Sequence, residues 1–334
     1  MKKITALLLA LFMLVGVLAG CGKQNDTNQT DKLSIVTTIF PEYDWVREIL
    51  GDKADNAEIT MLLDNGVDLH SYQPTADDIV KISDCDLFIY VGGESDEWVE
   101  DALRNAANRN MKVINLLEVL GDSVKTEEIV EGMQEEEHEH EDAHAHDDAE
   151  EHEHEEEADE HVWLSLKNAK MLVRVISKAL QELDPDNKDI YAANADAYVK
   201  KLSALDAEYQ AAVDAASNKT ILFGDRFPFR YLVDDYGLRY YAAFVGCSAE
   251  TEAGFETISF LAKRVDEWKL PCVLTIEGAQ HKIAETVVRN TTAKNQRVLT
   301  MDSMQSTTSK DVKNGTTYLS VMEKNLSVLK EALR

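Results

Sequence analysis

Basic side chains are scarce: 34 Lys and Arg stand against 62 Asp and Glu, a formal charge of −28. Residues 135–160 alone hold 16 of the acids and no Lys or Arg. Setting them aside leaves 34 basic against 46 acidic side chains, or −12. A surface so poor in cations argues against nucleic acid as a partner, since phosphate binding needs a basic face. It suits a protein whose ligand is a cation. Cysteine is sparse as well. Beyond Cys21 only Cys85, Cys247 and Cys272 remain. Three thiols without close spacing support neither a disulfide framework nor a zinc-finger pattern. After the N-terminal segment, no stretch approaches the roughly 20 consecutive apolar residues that cross a bilayer.

What is present begins with MKKITALLLALFMLVGVLAGC. Two lysines, a short apolar core and Leu18-Ala19-Gly20-Cys21 resemble a bacterial lipoprotein signal peptide, residues 1–20, cut before Cys21. The expectation is that Cys21 carries lipid and holds the protein on the extracytoplasmic face of the cell membrane. Residues 21–32 are polar and suit a tether. The remaining chain, about 310 residues, is enough for two domains of ordinary size.

Residues 33–130 alternate short apolar runs with helical patterns. LSIVTTI (33–39), AEITMLL (57–63), DLFIYVG (86–92) and KVINLL (112–117) read as buried strands. FPEYDWVREIL, TADDIVKIS and EWVEDALRNAAN read as helices between them, which implies parallel pairing. The tract 135–160 contains only Glu, Asp, His and Ala and has no apolar periodicity, so it reads as a disordered surface loop. SLKNAKMLVRVISKALQEL is a helix ending near Asp184-Pro185. In a longer helix at roughly 186–217, Tyr191, Tyr198, Leu202, Leu205, Tyr209 and Ala212 form one apolar stripe. From 219 the alternation resumes: TILFGD, LRYYAAFV, CVLTIEG and RVLTMD as strands, with four helical patterns among and after them. The expected fold is therefore α/β, two lobes with mostly parallel sheets (33–184 and 218–334) joined by one long helix (185–217).

In open α/β sheets, ligands bind beyond the carboxyl ends of the strands. His70, in LDNGVDLHSYQPTADDI, follows the strand ending near Leu63. His161, in DEHVWLSL, stands where the acidic tract meets a helix, and Val162-Trp163-Leu164 anchor it. Asp302 follows RVLT, Asp225 follows ILFG and Glu277 follows CVLTI. Imidazole and carboxylate suit Zn²⁺ or Mn²⁺, with imidazole tilting toward zinc. His281, at the start of a helix, reads as a surface histidine near a cap. Cys247 in FVGCSAETE also follows a strand, but a free cysteine is more often simply buried, and it is not counted as a ligand. HEDAH (140–144) matches H-E-x-x-H, yet a tract built from His, Glu, Asp and Ala generates such matches freely. Its six histidines read as weak, interchangeable sites.

GVDLHSYQPTADDI, EHVWLSLKNA, RYLVDDYGL and LTMDSMQ followed by GTTYLSVMEKNLSVL resemble the zinc- and manganese-binding solute receptors of ABC importers. The resemblance covers nearly all of the chain after the signal segment. It implies two α/β lobes joined by a rigid helix, His70 and His161 as ligands from the first lobe, and Asp302 as the carboxylate ligand from the second. The His-rich insert lies where zinc-specific members carry such a loop. The pattern breaks at Arg226, which aligns with a metal-binding His or Glu of the family. Arg cannot ligate because it stays protonated, which leaves Asp225, Glu277 or water for that position. The phrase HVWLSL also lacks the proline the family often has after HVWLS.

The function so implied is capture of Zn²⁺, with Mn²⁺ as the other candidate, by a lipid-anchored monomer. The monomer would deliver the ion to an integral-membrane permease with its cytoplasmic ATPase, and would not be an enzyme. Two rivals have sequence features of their own. A zinc hydrolase would use HEDAH, or a metal-bound water with Glu277 as base. A surface metal buffer or adhesin would have the tract as its working part.

Overall fold

Residues 32–134, 157–248, 252–278 and 280–334 are described by a computed structural model. The signal segment with Cys21, the tether through residue 31 and the six tract histidines lie outside the described residues. Leu33–Arg334 forms one compact unit.

In its first half, strands and helices alternate: β1 (Leu33–Thr37), α1 (Phe40–Leu50), β2 (Ala57–Met61), α2 (Ala76–Asp84), β3 (Leu87–Tyr90), α3 (Trp98–Arg104), β4 (Lys112–Asn115) and α4 (Leu116–Leu120). The four strands are parallel in the order β2-β1-β3-β4. Composition explains the order. β1 and β3 bury Ile35, Val36, Leu87, Phe88 and Ile89 on both faces and take the centre. β2, with its exposed Glu58, takes an edge. Parallel neighbours need crossover connections, and α1, α2 and α3 supply them. Thr75 caps α2 as the TADD phrase implies: its Oγ accepts the Asp78 N–H at 3.2 Å, and Asp78 accepts the Thr75 N–H at 2.9 Å.

α5 (Leu166–Leu183) packs against the long α6 (Lys188–Ala215). With 28 residues, α6 is about 42 Å long. It starts two residues later than the apolar stripe implied, because Pro185–Asn187 form a 3-10 turn whose Asp184 accepts Tyr191 Oη–H at 2.6 Å. Tyr191, Tyr198, Leu202, Leu205 and Tyr209 are buried as the stripe requires. Val213 closes it, while Ala212 is half-buried.

The second half contains β5 (Thr220–Leu222), β6 (Arg226–Phe227), α7 (Arg230–Tyr236), β7 (Arg239–Tyr241), β8 (Phe244–Val245), α8 (Phe255–Trp268), β9 (Cys272–Thr275), α9 (Lys282–Asn290), β10 (Arg297–Thr300), α10 (Ser309–Lys313) and α11 (Tyr318–Ala332). Its pairs β5–β7, β9–β10 and β6–β8 are parallel, and a bridge between Phe223 and Leu274 ties β5 to β9. The run LRYYAAFV is two strands, not one. It changes partner at Ala242-Ala243, where the Ala243 N–H turns to the Asp225 carbonyl at 3.1 Å.

The halves share one core. Tyr318 at the start of α11 meets Trp45 of α1 edge-on at 5.2 Å, and its N–H donates to Asp44 at 2.9 Å. Its hydroxyl donates to the Trp163 carbonyl at 2.6 Å, and the Trp163 indole N–H donates to the Ser303 carbonyl at 2.8 Å. Among the described residues, no helix is long and apolar enough to cross a membrane.

Candidate metal centre

His70 sits in a 3-10 turn, Leu69–Ser71, that is anchored by the fully buried Leu69 and capped by Asp68, whose Oδ1 accepts the His70 N–H at 3.0 Å. Its Nδ1 lies 2.8 Å from Ser95 Oγ and 3.3 Å from Glu160 Oε2. His161 is 0 % exposed. Asp159 Oδ1 accepts its backbone N–H at 2.9 Å and its Nδ1–H at 3.1 Å. The next residues, Val162–Leu164, form a buried 3-10 turn that fixes the ring from the other side. The two Nε2 atoms face each other at 3.2 Å.

That geometry is built by close packing. Gly93, at φ +83°, lets Glu160 lie where a Cβ would stand 2.3 Å from Oε1. A Cβ on Gly246 would stand 3.0 Å from His161 Cε1, so the chain after β8 presses directly on the imidazole. Asp159 and Glu160 are each 2 % exposed. Residues 157–160 therefore belong to the folded unit rather than to the solvated loop their composition implied. The Asp159 N–H donates to the Lys125 carbonyl at 2.8 Å, and Ala158 bridges Thr126. These two acids are what the sequence reading missed most plainly, because they are the last letters of a run whose other members look identical to them.

Tautomers follow from the partners. His70 donates through Nδ1 to Glu160 or Ser95, which leaves the Nε2 lone pair free. Gln305 is oriented with its NH₂ toward Asp68, at 2.8 and 2.9 Å, and its carbonyl oxygen 3.1 Å from His161 Nε2. A proton on His161 Nε2 is thereby offered to His70 and Gln305. Its pKa lies above the ordinary imidazole value. Burial is the largest influence and pushes it down, but Asp159, Glu160 and Asp68 outweigh burial. Glu160 lies below the usual carboxyl range although burial pushes it up, because Ser95 and His70 hold its ionised form. Two imidazoles joined through one exchangeable proton, each backed by a carboxylate, form the arrangement that orients histidines on a metal. Two nitrogens on a tetrahedral zinc, each at about 2.0–2.1 Å, would be about 3.3 Å apart.

The second half meets this pair differently. Among the described residues, the His, Cys, Asp and Glu donor atoms that converge within 4.8 Å of one another belong to His70, His161 and Cys247. Asp225, Glu277 and Asp302 are not in that group. Asp225 accepts the N–H groups of Arg226 at 3.0 Å and Ile276 at 3.3 Å. Glu277 accepts from Ser303 N–H and Oγ–H and from Gln305 N–H at 2.6, 2.7 and 3.1 Å. It thereby holds a turn in which Met304 adopts φ +66°. Asp225 thus accepts only backbone N–H groups, and Glu277 accepts backbone N–H groups and one hydroxyl, and neither belongs to the converging set. Asp302 Oδ1 accepts the Met304 N–H at 2.8 Å. Arg226 spans the opening between the halves, donating to the Asp68 carboxylate and, at 3.4 Å, to the Ser248 carbonyl. His281 stands at the N-cap of α9, outside the group. Cys247, set aside on the sequence, follows β8 and Gly246, and Glu127 accepts its N–H at 2.9 Å. Burial, then Glu127, pushes its thiol above the ordinary range.

Two parallel-sheet halves on a long helix, with two imidazoles facing each other at 3.2 Å, define a two-lobed α/β binding protein with a candidate metal centre. The chain belongs to the family described as zinc-uptake complex component A, periplasmic (ZnuA), whose model matches residues 35–332. It is 33 % identical over 331 residues to the zinc-binding lipoprotein AdcA of Streptococcus pneumoniae, a match covering 99 % of this chain and 61 % of that protein. The chain thus spans less than two thirds of that relative. It is 32 % identical over 328 residues to the high-affinity zinc uptake system protein ZnuA of Bacillus subtilis, covering 97 % of this chain and 95 % of the other. The crystal structure of the Zn(II)-bound ZnuA-like domain of Streptococcus pneumoniae AdcA superposes with a TM-score of 0.68 at 29 % identity, over 90 % of this chain and 99 % of that one.

Proposed function

We propose that this protein is the extracytoplasmic, lipid-anchored substrate-binding component of an ABC importer. It captures Zn²⁺ between its halves and delivers the ion to an integral-membrane permease driven by a cytoplasmic ATPase. One observation carries the reading: the facing Nε2 atoms of His70 and His161, 3.2 Å apart, with a carboxylate behind each ring. Zinc replaces the proton between them. Imidazole favours zinc over manganese. Asp302 is the carboxylate of the second half, and it reaches the ion by turning from the Met304 N–H. The names of the relatives, a zinc-binding lipoprotein and a zinc uptake protein, support both cargo and anchoring at Cys21. Because Trp163, Ser303 and Tyr318 tie the halves together, uptake and release involve shifts of loops and a slight tilt of the second half rather than opening of a wide cleft. The tract histidines serve as weak auxiliary sites. A monomer suffices, since both halves of the centre come from one chain.

The hydrolase reading loses support because Glu277, its candidate base, is spent on Ser303 and Gln305. The buffer reading leaves the folded histidine pair without a purpose. Calorimetry tests the proposal: the full chain should bind one zinc ion tightly beside weaker tract sites. His161→Ala should lose the tight ion and keep the weak ones. Equal titrations of the two proteins would overturn it.

A further inference from the structure

We infer that Cys247 is a ligand of the cargo ion, so that one thiolate joins the two imidazoles and the Asp302 carboxylate. The inference rests on the zinc reading above and goes further by naming the donor that replaces the one lost at Arg226.

Three features of the fold carry it. The donor atoms of His70, His161 and Cys247 lie within 4.8 Å of one another. A nitrogen and a sulfur on one tetrahedral zinc would be about 3.6 Å apart, taking about 2.0–2.1 Å for Zn–N and about 2.3 Å for Zn–S, so a shift of about 1 Å closes the set. The second feature is the neighbouring strand. β6 and β8 are paired with Arg226 opposite Phe244, so Cys247 leaves the same edge three residues beyond the partner of Arg226. The neighbouring strand thus carries the donor further along toward the histidines than Arg226 stands. Gly246 is the third. With no Cβ, it brings the backbone beside Cys247 against the His161 ring itself, and a side chain there would meet Cε1 at 3.0 Å.

Arg226 takes a different role in this arrangement. It ties Asp68, two residues before His70, to the carbonyl of Ser248, next to Cys247. It clamps the two chain segments that carry ligands without binding the ion. The thiol proton leaves to solvent as the sulfur–zinc bond forms. The thiolate and the Asp302 carboxylate then balance the double charge of the ion, and the imidazoles ligate as neutral rings, any proton on His161 Nε2 leaving to solvent with the thiol proton. Thiolate also favours zinc over manganese, so the substitution of donor makes the centre more selective than an all-nitrogen-and-oxygen site.

Cobalt(II) substitution reads this out. One equivalent of Co²⁺ added to the full chain should give sulfur-to-cobalt charge-transfer absorption in the near ultraviolet. Cys247→Ser should lose that band and bind zinc at least about tenfold more weakly, the size of a lost supporting contact at a metal site. Cys85 and Cys272 are buried, and a band that survives in Cys247→Ser would come from another thiol and overturn the inference. So would tight one-to-one cobalt binding without the band, which leaves the zinc reading standing. If the wild type and His161→Ala bind zinc equally, the zinc reading falls and the inference with it. Should Cys247→Ser fail to fold, the wild-type spectrum decides alone.

Discussion

The two sides of the metal centre handle carboxylates in opposite ways. On the side of His70 and His161, Glu160 and Asp159 stand behind the rings and aim them. Across the opening, Asp225 and Glu277 face backbone N–H groups and hold turns in shape. The same residue type orients a ligand in one half, where it ends the acidic tract, and braces the chain in the other, where it follows a strand. A carboxylate's place after a strand is therefore not what identifies its role. What the nearest donors take from it decides what it does.

Substitutions can break this contrast. His161→Ala should weaken tight zinc binding by more than about a hundredfold, since contacts behind a metal ligand are already worth about 10–100-fold. Asp159→Asn should fall inside that range, measured by competition with a chelator, because the ring loses its aim but not its nitrogen. Asp225→Ala should act on the fold instead. It leaves two N–H groups without a partner at a cost of about 1–3 kcal/mol, which should lower the thermal midpoint while zinc affinity holds. A loss of zinc as deep as that of His161→Ala would abolish the distinction between the two sides.

Two buried acids of α1 bear on stability rather than on zinc. Burial first, then the charge of Asp96, pushes Glu42 up to about 8; burial, then Glu48, pushes Asp44 up to about 7. Between the ordinary carboxyl range and those values, the folded chain holds protons that the unfolded chain has lost. Stability should therefore fall as the pH rises from 5 to 8, and Glu42→Gln should flatten the slope of the unfolding midpoint. A wild-type midpoint that climbs over that interval would contradict this.

Much of the architecture was legible because it is written in periodicity. The runs around Ile35 and Phe88 read as buried strands, though not as the central pair, and the Tyr191-to-Tyr209 stripe read as a long amphipathic helix. His161 was legible as a histidine next to apolar anchors, and His70 as one in the loop after a strand within a phrase that resembles the family's. Their supporting acids were not, since nothing in the letters DE before His161 separates them from the fourteen acids upstream. Cys247 was hidden for a different reason: its closeness to the histidines depends on a strand pair, β6–β8, only two residues long. Gln305 was hidden too, because an amide at the end of a turn has no pattern to betray it.

Trp163 has one further consequence. Its backbone lies two residues from the imidazole of His161, and its ring grips the carbonyl beside Asp302. It works as a crossbar beneath the mouth of the centre, so a tug on either bank is felt on the other without passing through the ion. The two banks are thereby held to each other whether or not an ion bridges them.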